Sequence, residues 1–190
     1  MFEKGFPIEL KKEVLEVEHF IPFQTYGNVL IGESEQYIQY CLNGNTICFP
    51  YRMYYFEISD DVFHNFNFRK QMIVDCIYSR SCDGFVRQKH IERLLLNEYE
   101  SWAIPYIVKV CDEYVVEILE SVYHLLQKQD TTQIKNFCLE NVQSFCRSYA
   151  RMTSYWNEFY RDSCFRFHDY IGKKLFQECF GYSRNLEKEK

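Results

Sequence analysis

The stretch that decides the fold is DGFVRQKHIERLLLNEYESWAIPYIVKVCDEYVVEILESVYHLL, residues 83–126. It holds two blocks rich in branched apolar residues, with Asp83 at the start of the first block and Asp112 inside the second. An Asp before a helix caps it by accepting hydrogen bonds from the first free amides. Apolar residues at spacings of three and four are typical of the buried face of a helix. The stretch predicts stacked helical hairpins, with either one helix over 102–127 or two helices broken near Asp112.

The distribution of Gly and Pro divides the chain near residue 60. Residues 1–60 hold seven of the eleven Gly and Pro residues, whereas none occurs between Pro105 and Gly172. Because these residues interrupt regular helices, we expect an α+β protein. It should be mainly an α-helical array of hairpins, with a small N-terminal antiparallel β-hairpin region. The expected parts are an aromatic-rich β-hairpin region at 1–60, a helical region packed on it as one domain at 61–181, and a frayed tail at 182–190.

Within the front part, Asn43-Gly44 separates two runs rich in Tyr, Ile, Phe and Cys. Asn-Gly accepts positive φ angles and favours tight hairpin turns. We therefore expect a hairpin with strands near 36–42 and 46–50. The opening piece at 8–20 fits a short helix and a strand equally well.

In the back part, apolar and aromatic residues keep helical spacing from Ile134 to Tyr170. One straight helix over roughly 40 residues would be about 60 Å long, whereas a compact chain of this size has a radius of gyration of about 16 Å. The pattern therefore predicts a break at Thr153-Ser154, or else a long hairpin arm used for pairing.

The pattern DGFVR at 83–87, followed by Ile91 and Leu94, resembles the inner helix of a HEAT-like or armadillo-like repeat. In that family an Asp caps the helix and a Val-Arg pair follows. The segment 103–117 is similar to a following repeat, although it lacks the second Arg and its Asp comes only 29 residues after the first. The resemblance covers 65–128 and implies a helical stack that presents a surface to a protein partner.

A polar group on the first hairpin is the leading candidate for partner binding. Asp83 and Arg87 stand four residues apart, which allows them to pair on one helix face. His90 shares that side, and Glu117 on the adjacent hairpin could complete the network. The predicted partner-binding residues are Arg80, Asp83, Arg87, His90, Glu117, Tyr51 and Arg52.

A second candidate surface is the aromatic stripe at 145–171. The segment 147–174 interleaves six Lys and Arg residues with rings, a combination that can grip single-stranded nucleic acid. The rings keep helical spacing, however, which favours a core or a dimer interface. The predicted interface residues are Tyr149, Trp156, Phe159 and Tyr160.

Charge and cysteine usage limit the partners and the compartment. The net charge of −5 comes from residues 1–60, and residues 61–190 are balanced, so nucleic acid is an unlikely partner. No run of about 18 apolar residues occurs, and we expect no membrane span. Nine cysteines without a Cys-x-x-Cys motif predict a reducing cytoplasm.

Motifs for catalysis and metal binding are missing from the sequence. It contains no HExxH, no Walker loop, no GxGxxG and no Gly-x-Ser-x-Gly. We expect no catalytic residue, no metal and no cofactor.

These patterns favour a non-catalytic cytoplasmic protein-interaction or scaffold module, with self-association through the aromatic stripe as one form of that interaction. A more specific version is an acidic immunity-type or inhibitor protein that binds a basic partner. The alternative is a small enzyme with a Cys/His/Glu site between the hairpin and the helices, in which Tyr51, Arg52, Tyr54 and Arg87 surround a deep pocket.

Overall fold

A computed structural model of the chain describes residues 2–22, 24–27 and 29–187. The chain divides into two compact units, Met1–Ala103 and Ile104–Lys190. Both units are rich in helix, and strands occur in the first, which confirms the mainly helical α+β class. The first unit extends past the predicted boundary at residue 60, because the helices up to residue 96 belong to the same compact unit as the hairpin. None of the described helices is long and apolar enough to cross a membrane.

The first unit combines four helices with two small antiparallel sheets. Its elements are α1 (Lys11–Glu18), β1 (Gln24–Tyr26), β2 (Val29–Ile31), β3 (Tyr37–Leu42), β4 (Asn45–Pro50), α2 (Asp60–Asn65), α3 (Phe68–Tyr78) and α4 (Gly84–Leu96). Strand β1 pairs with β2, and β3 pairs with β4. Of the two alternatives for residues 8–20, the structure contains a helix. Helix α1 buries the side chains of Val14 and Val17 fully.

The predicted hairpin is confirmed, and its turn explains its register. Asn43 has φ 52° and Gly44 has φ 78°, the left-handed pair that a two-residue hairpin turn requires. The register then places Leu42 opposite Asn45 and Tyr37 opposite Pro50. A short turn with the right backbone chemistry is therefore enough to set the pairing of six residues on each strand.

The predicted cap at Asp83 is also confirmed. The Oδ1 atom of Asp83 accepts hydrogen bonds from the backbone amides of Phe85 and Val86, at 2.8 and 3.4 Å. Helix α4 then buries Ile91 and Leu94 against the rest of the first unit. Local chemistry thus starts the helix, and burial of its apolar face stabilises it.

The described part of the second unit contains helices joined by turns, and no strand. Its elements are α5 (Ile104–Val110), α6 (Val116–Leu126), α7 (Thr132–Glu140), α8 (Val142–Tyr155), a π-helical turn (Trp156–Tyr160), α9 (Ile171–Lys174) and a second π-helical turn (Leu175–Cys179). Of the two alternatives for residues 102–127, the structure contains two helices, separated by residues 111–115.

The predicted break at Thr153-Ser154 is wrong. Helix α8 runs through both residues, whose hydroxyls donate to the carbonyl oxygens of Tyr149 and Ala150 one turn earlier. Such bonds satisfy the hydroxyls inside a helix, so neither residue needs to end it. The interruption comes instead at Asn141, where ψ is 35° and the helices α7 and α8 meet.

The end of the chain differs from the predicted frayed tail. Gly181 has φ 77°, which reverses the chain after the second π-helical turn. The amide of Tyr182 then donates to the carbonyl oxygen of Phe176 at 2.8 Å, and the side chains of Tyr182 and Leu186 are buried. Residues 188–190 lie outside the described part of the chain.

Replacing Asp83 with Ala should lower the free energy of unfolding by about 1 kcal/mol, because two amides at the start of α4 lose their acceptor. Urea denaturation of the purified protein would measure the loss. Asp83→Asn keeps a side-chain acceptor and is the matched control, expected to change stability far less. Equal losses in the two variants would mean that the negative charge matters and the cap does not.

Candidate functional site

The predicted ion pair between Asp83 and Arg87 does not form. Asp83 is used as the cap of α4, and its described contacts do not include Arg87. The Nη1 atom of Arg87 instead donates to the carbonyl oxygens of Ser81 and Cys82, at 2.8 and 3.0 Å. The predicted pair does not form because the Asp83 carboxylate faces the start of α4, whereas the Arg87 guanidinium is buried.

Three of the predicted partner-binding residues are interior residues of the first unit. The side chains of Arg80, Arg87 and His90 are each 1% exposed. Arg80 donates from Nη2 to the carbonyl oxygen of Tyr51 at 2.8 Å, and the guanidinium of Arg52 lies 4.5 Å from the centre of the Tyr51 ring. Tyr51 and Arg52 are partly exposed, whereas Arg80, Arg87 and His90 are buried.

His90 lies between two carboxylates. Its Nδ1 is 2.7 Å from Oδ1 of Asp75, and its Nε2 is 2.9 Å from Oε1 of Glu57. Arg93 donates to the same Asp75 oxygen from Nε and Nη2, at 2.8 and 2.6 Å. The Tyr78 ring stacks on the imidazole with ring centres 4.9 Å apart. The arrangement cross-links α3 and α4, and the ring nitrogens are already occupied by protein groups.

Three of the buried cysteines offer little nucleophilic chemistry. Burial raises the pKa of Cys76 and Cys111 well above the ordinary thiol value, and it raises that of Cys179 to about 11. A thiol with such a pKa carries almost no thiolate at neutral pH, and the thiolate is the reactive form. Among the described residues, no three His, Cys, Asp or Glu side chains come together as a metal site would require.

In the second unit, a buried carboxylate determines the path of the chain between α5 and α6. Lys109 donates from Nζ to both oxygens of Asp112, at 2.8 and 2.6 Å, and both residues are buried. Oδ2 of Asp112 also accepts from Oγ of Ser148 at 2.9 Å and from Nη1 of Arg151 at 3.3 Å. A buried charge requires such partners, so residues 111–115 are tied to α8 where helix α5 ends.

Tyr160 holds the next part of the same turn. Its hydroxyl donates to the carbonyl oxygen of Tyr114 and accepts from the amide of Val116 at 3.3 Å. Burial, and then the charges of Glu117 and Glu120, raise the pKa of the Tyr160 hydroxyl. The hydroxyl therefore keeps its proton at neutral pH and remains able to donate.

This turn places Tyr114 beside two further rings on the surface. Tyr114 is 51% exposed and Phe159 is 58% exposed, and the Tyr155 ring centre lies 6.1 Å from that of Phe159. The ring centre of Tyr114 lies 6.0 Å from the ring centre of Tyr155 and 6.0 Å from that of Phe159. We call these three residues the Tyr114 patch. Neighbouring aromatic rings exposed on a fixed backbone are typical of a protein-binding surface.

The predicted interface residues separate into two groups. Phe159 belongs to the Tyr114 patch, and the Tyr160 hydroxyl bonds to the backbone of Tyr114. Tyr149 and Trp156 make other contacts in the unit. The Tyr149 ring stacks on the Tyr182 ring. The Trp156 indole donates to the carbonyl oxygen of Cys164 at 2.9 Å.

Sequence reasoning missed two of the three patch residues. Tyr155 stands four residues before Phe159, a spacing that places both rings on one helix face, and this signal was available. Tyr114 lies about 40 residues earlier in the chain, and no local pattern connects it to the other two.

Several exposed carboxylates are close to the patch residues in the sequence. Glu117 and Glu120 on α6 and Glu158 and Asp162 near Phe159 are exposed, whereas Arg161 is the one exposed cation within these short segments of the described chain. Glu117, predicted as a partner-binding residue, thus lies on the flank of the patch. The surface combines apolar rings with excess negative charge.

None of the family models, curated proteins or solved structures compared with the chain matches it. The HEAT-like or armadillo-like repeat over 65–128 therefore stays a prediction.

Lys109→Met should lower the free energy of unfolding by about 3–5 kcal/mol, because Asp112 stays buried after losing its closest cation. Urea denaturation followed by circular dichroism would measure this. Lys128→Met removes an exposed lysine of the same unit and serves as the control. A loss below about 1 kcal/mol would show that Ser148 and Arg151 suffice for the carboxylate.

Acid should weaken the first unit through Glu57. The hydrogen bond with His90, followed by that with Lys89, lowers the pKa of Glu57 to about 2 from 4.5. A lowered folded-state pKa contributes stability that is present above pH 4.5 and is lost as the pH falls towards 2. Glu57→Gln should therefore be less stable than the parent near neutral pH and lose less on acidification.

Denaturation curves at a series of pH values would measure the effect of Glu57→Gln. The exposed Glu98, which makes no ion pair with a described residue, provides the control variant Glu98→Gln. If both variants follow the same pH profile, Glu57 has no special role in acid stability.

Proposed function

We propose that the protein is a non-catalytic protein-interaction module. Its Tyr114 patch binds a segment of a partner protein that carries both apolar and basic side chains. The observation that carries this proposal is the exposure of Tyr114 and Phe159, 51% and 58%, on a backbone that Asp112 and Tyr160 hold in place. A ring that is already ordered loses little conformational entropy when a partner covers it.

The chemistry of the patch and its rim favours a basic partner. An Arg or Lys over the face of a Tyr or Phe ring is attracted by about 0.5–2 kcal/mol. Glu117 and Glu120 act electrostatically on Tyr160, and Glu158 and Asp162 are near Phe159 in the sequence; all four are exposed and can pair with cations of a partner. Rings at the centre of a contact with charges at its rim match the usual anatomy of protein interfaces.

A second copy of the chain is a weaker candidate occupant. Two-fold contact through the patch would bring the same carboxylates of both copies together, and like charges across an interface oppose association. Self-association therefore needs a cationic surface outside the patch. We commit to a different protein as the partner.

The state of the cysteines fits the proposed cytoplasmic location. Among the described residues no two cysteines form a disulfide, and several thiols are buried. A reducing compartment preserves such thiols, whereas an oxidising one promotes mispairing. The acidic inhibitor or immunity-type version draws its support from the charge of residues 1–60, and the small-enzyme alternative stays a prediction without an observation in its favour.

Short synthetic peptides that alternate Arg with Leu are suitable probes for the patch. Fluorescence anisotropy should detect saturable binding of such a peptide to the intact protein. The variants Phe159→Ser and Tyr114→Ser should each weaken binding about tenfold, as expected for central interface rings. A peptide with Glu in place of Arg should bind far less, and added salt should weaken the Arg peptide.

Phe165→Ser is the matched control, because Phe165 is 76% exposed in the same unit but outside the patch. Its binding should equal that of the parent. The proposal fails if the Arg and Glu peptides bind alike, or if Phe165→Ser loses as much binding as Phe159→Ser. Light scattering that detects a dimer sensitive to Phe159→Ser would point to a second copy instead.

A further inference from the structure

A second surface of the Ile104–Lys190 unit has the properties of a small-ligand site. A cleft of about 440 Å³ opens between rings of Tyr149, Phe167 and Tyr182. Gly181 provides the left-handed turn that brings Tyr182 back onto α8, where its ring stacks on Tyr149 with centres 3.5 Å apart and planes within 13°. The aromatic wall is therefore built by a turn that only a residue tolerant of positive φ adopts easily.

Four polar side chains complete the lining: Thr153, Lys173, Gln177 and Arg184. The ammonium group of Lys173 lies 5.4 Å from the centre of the Phe167 ring. Gln177 belongs to the second π-helical turn, a distortion that is frequent at functional sites. Cationic, amide and hydroxyl groups thus converge on one aromatic-walled space.

The cleft carries uncompensated positive charge. Among the residues that the structure describes, no carboxylate lines it and none forms an ion pair with Lys173 or Arg184. Nearby Asp169 pairs with Arg166 and contacts His168. Two cations on one cleft without a counter-charge are poised for an anionic ligand.

A cleft of the other unit, lined in part by Glu3 and Lys4, makes the contrast clear. It has about the same volume, 450 Å³, but its charges are balanced, with Glu3 and Glu9 against Lys4 and Lys11. Glu3 also lies 3.7 Å from the Lys11 ammonium. An anion gains little there, so the two clefts differ in chemistry rather than in size.

We propose that the cleft lined by Lys173 and Arg184 binds a small organic anion with a planar ring, of the chemistry of a nucleoside monophosphate. The volume falls within the range of about 300–1,000 Å³ usual for ligand pockets. The aromatic walls receive the ring, while Lys173 and Arg184 receive the phosphate as charge-assisted donors. This site shares no residue with the Tyr114 patch and stands independently of the proposed function.

A single nucleotide fits the cleft better than a single strand of nucleic acid. Strand-binding surfaces track several nucleotides along a continuous basic groove with repeated stacking platforms. Here the cations and rings meet in one cleft, and residues 61–190 have no basic excess overall. The occupant is therefore expected to be a free small molecule.

Isothermal titration of the full chain with AMP tests the site. AMP should bind saturably, and adenosine and ribose 5-phosphate should each bind about tenfold more weakly, because each lacks one of the two recognised groups. Lys173→Gln should weaken AMP binding about tenfold, and the more exposed Arg184→Gln about threefold. Lys174→Gln, which changes the adjacent lysine outside the cleft, should bind AMP like the parent.

Circular dichroism of each variant would show that the fold is intact. Absence of saturable binding by AMP, or an equal loss in Lys174→Gln and Lys173→Gln, would overturn the proposal. A single-stranded oligonucleotide that binds through Lys173 while AMP does not would overturn it as well, in favour of a strand-binding surface. Peptide binding by the Tyr114 patch can succeed or fail separately from each of these results.

Discussion

The buried carboxylate of Asp112 is the interaction on which the second unit depends. An ionised group in the interior is tolerated only when other groups replace the water that it lost. Lys109, Ser148 and Arg151 do this from two helices, so the chain must leave α5 where these partners can be reached. Two residues later the same turn places Tyr114 on the surface, which means that the interior charge also positions the exposed ring.

The first unit uses buried charge in a different way. Arg80 and Arg87 donate to backbone carbonyls, and His90 is held between Asp75 and Glu57, so these buried polar groups cross-link segments of the unit. Residues that look reactive in the sequence are therefore structural in the fold. Exposed rings and charges lie on the surface, where the proposed recognition would take place.

Local patterns predicted the parts of the fold that local chemistry controls. Asn43-Gly44 and the Asp83 cap each act through atoms within a few residues, and both were predicted correctly. The Asp83–Arg87 pair and the helix break at Thr153-Ser154 were wrong, because side-chain direction and tertiary burial decided them. The Tyr114 patch joins segments about 40 residues apart, and its assembly depends on Asp112 and Tyr160, whose long-range contacts leave no periodic signal.

The cysteines differ in exposure, so their labelling can measure how often the structure opens locally. Cys76 is fully buried in the first unit, Cys111 and Cys138 are buried in the second, and Cys82 is exposed. An alkylating reagent can modify the exposed thiol at once, but it reaches the others only when the surrounding structure opens. Labelling rates of the native chain therefore carry separate readings of the opening free energy of each unit. The buried thiols therefore pack the interior and also allow the frequency of its opening to be measured.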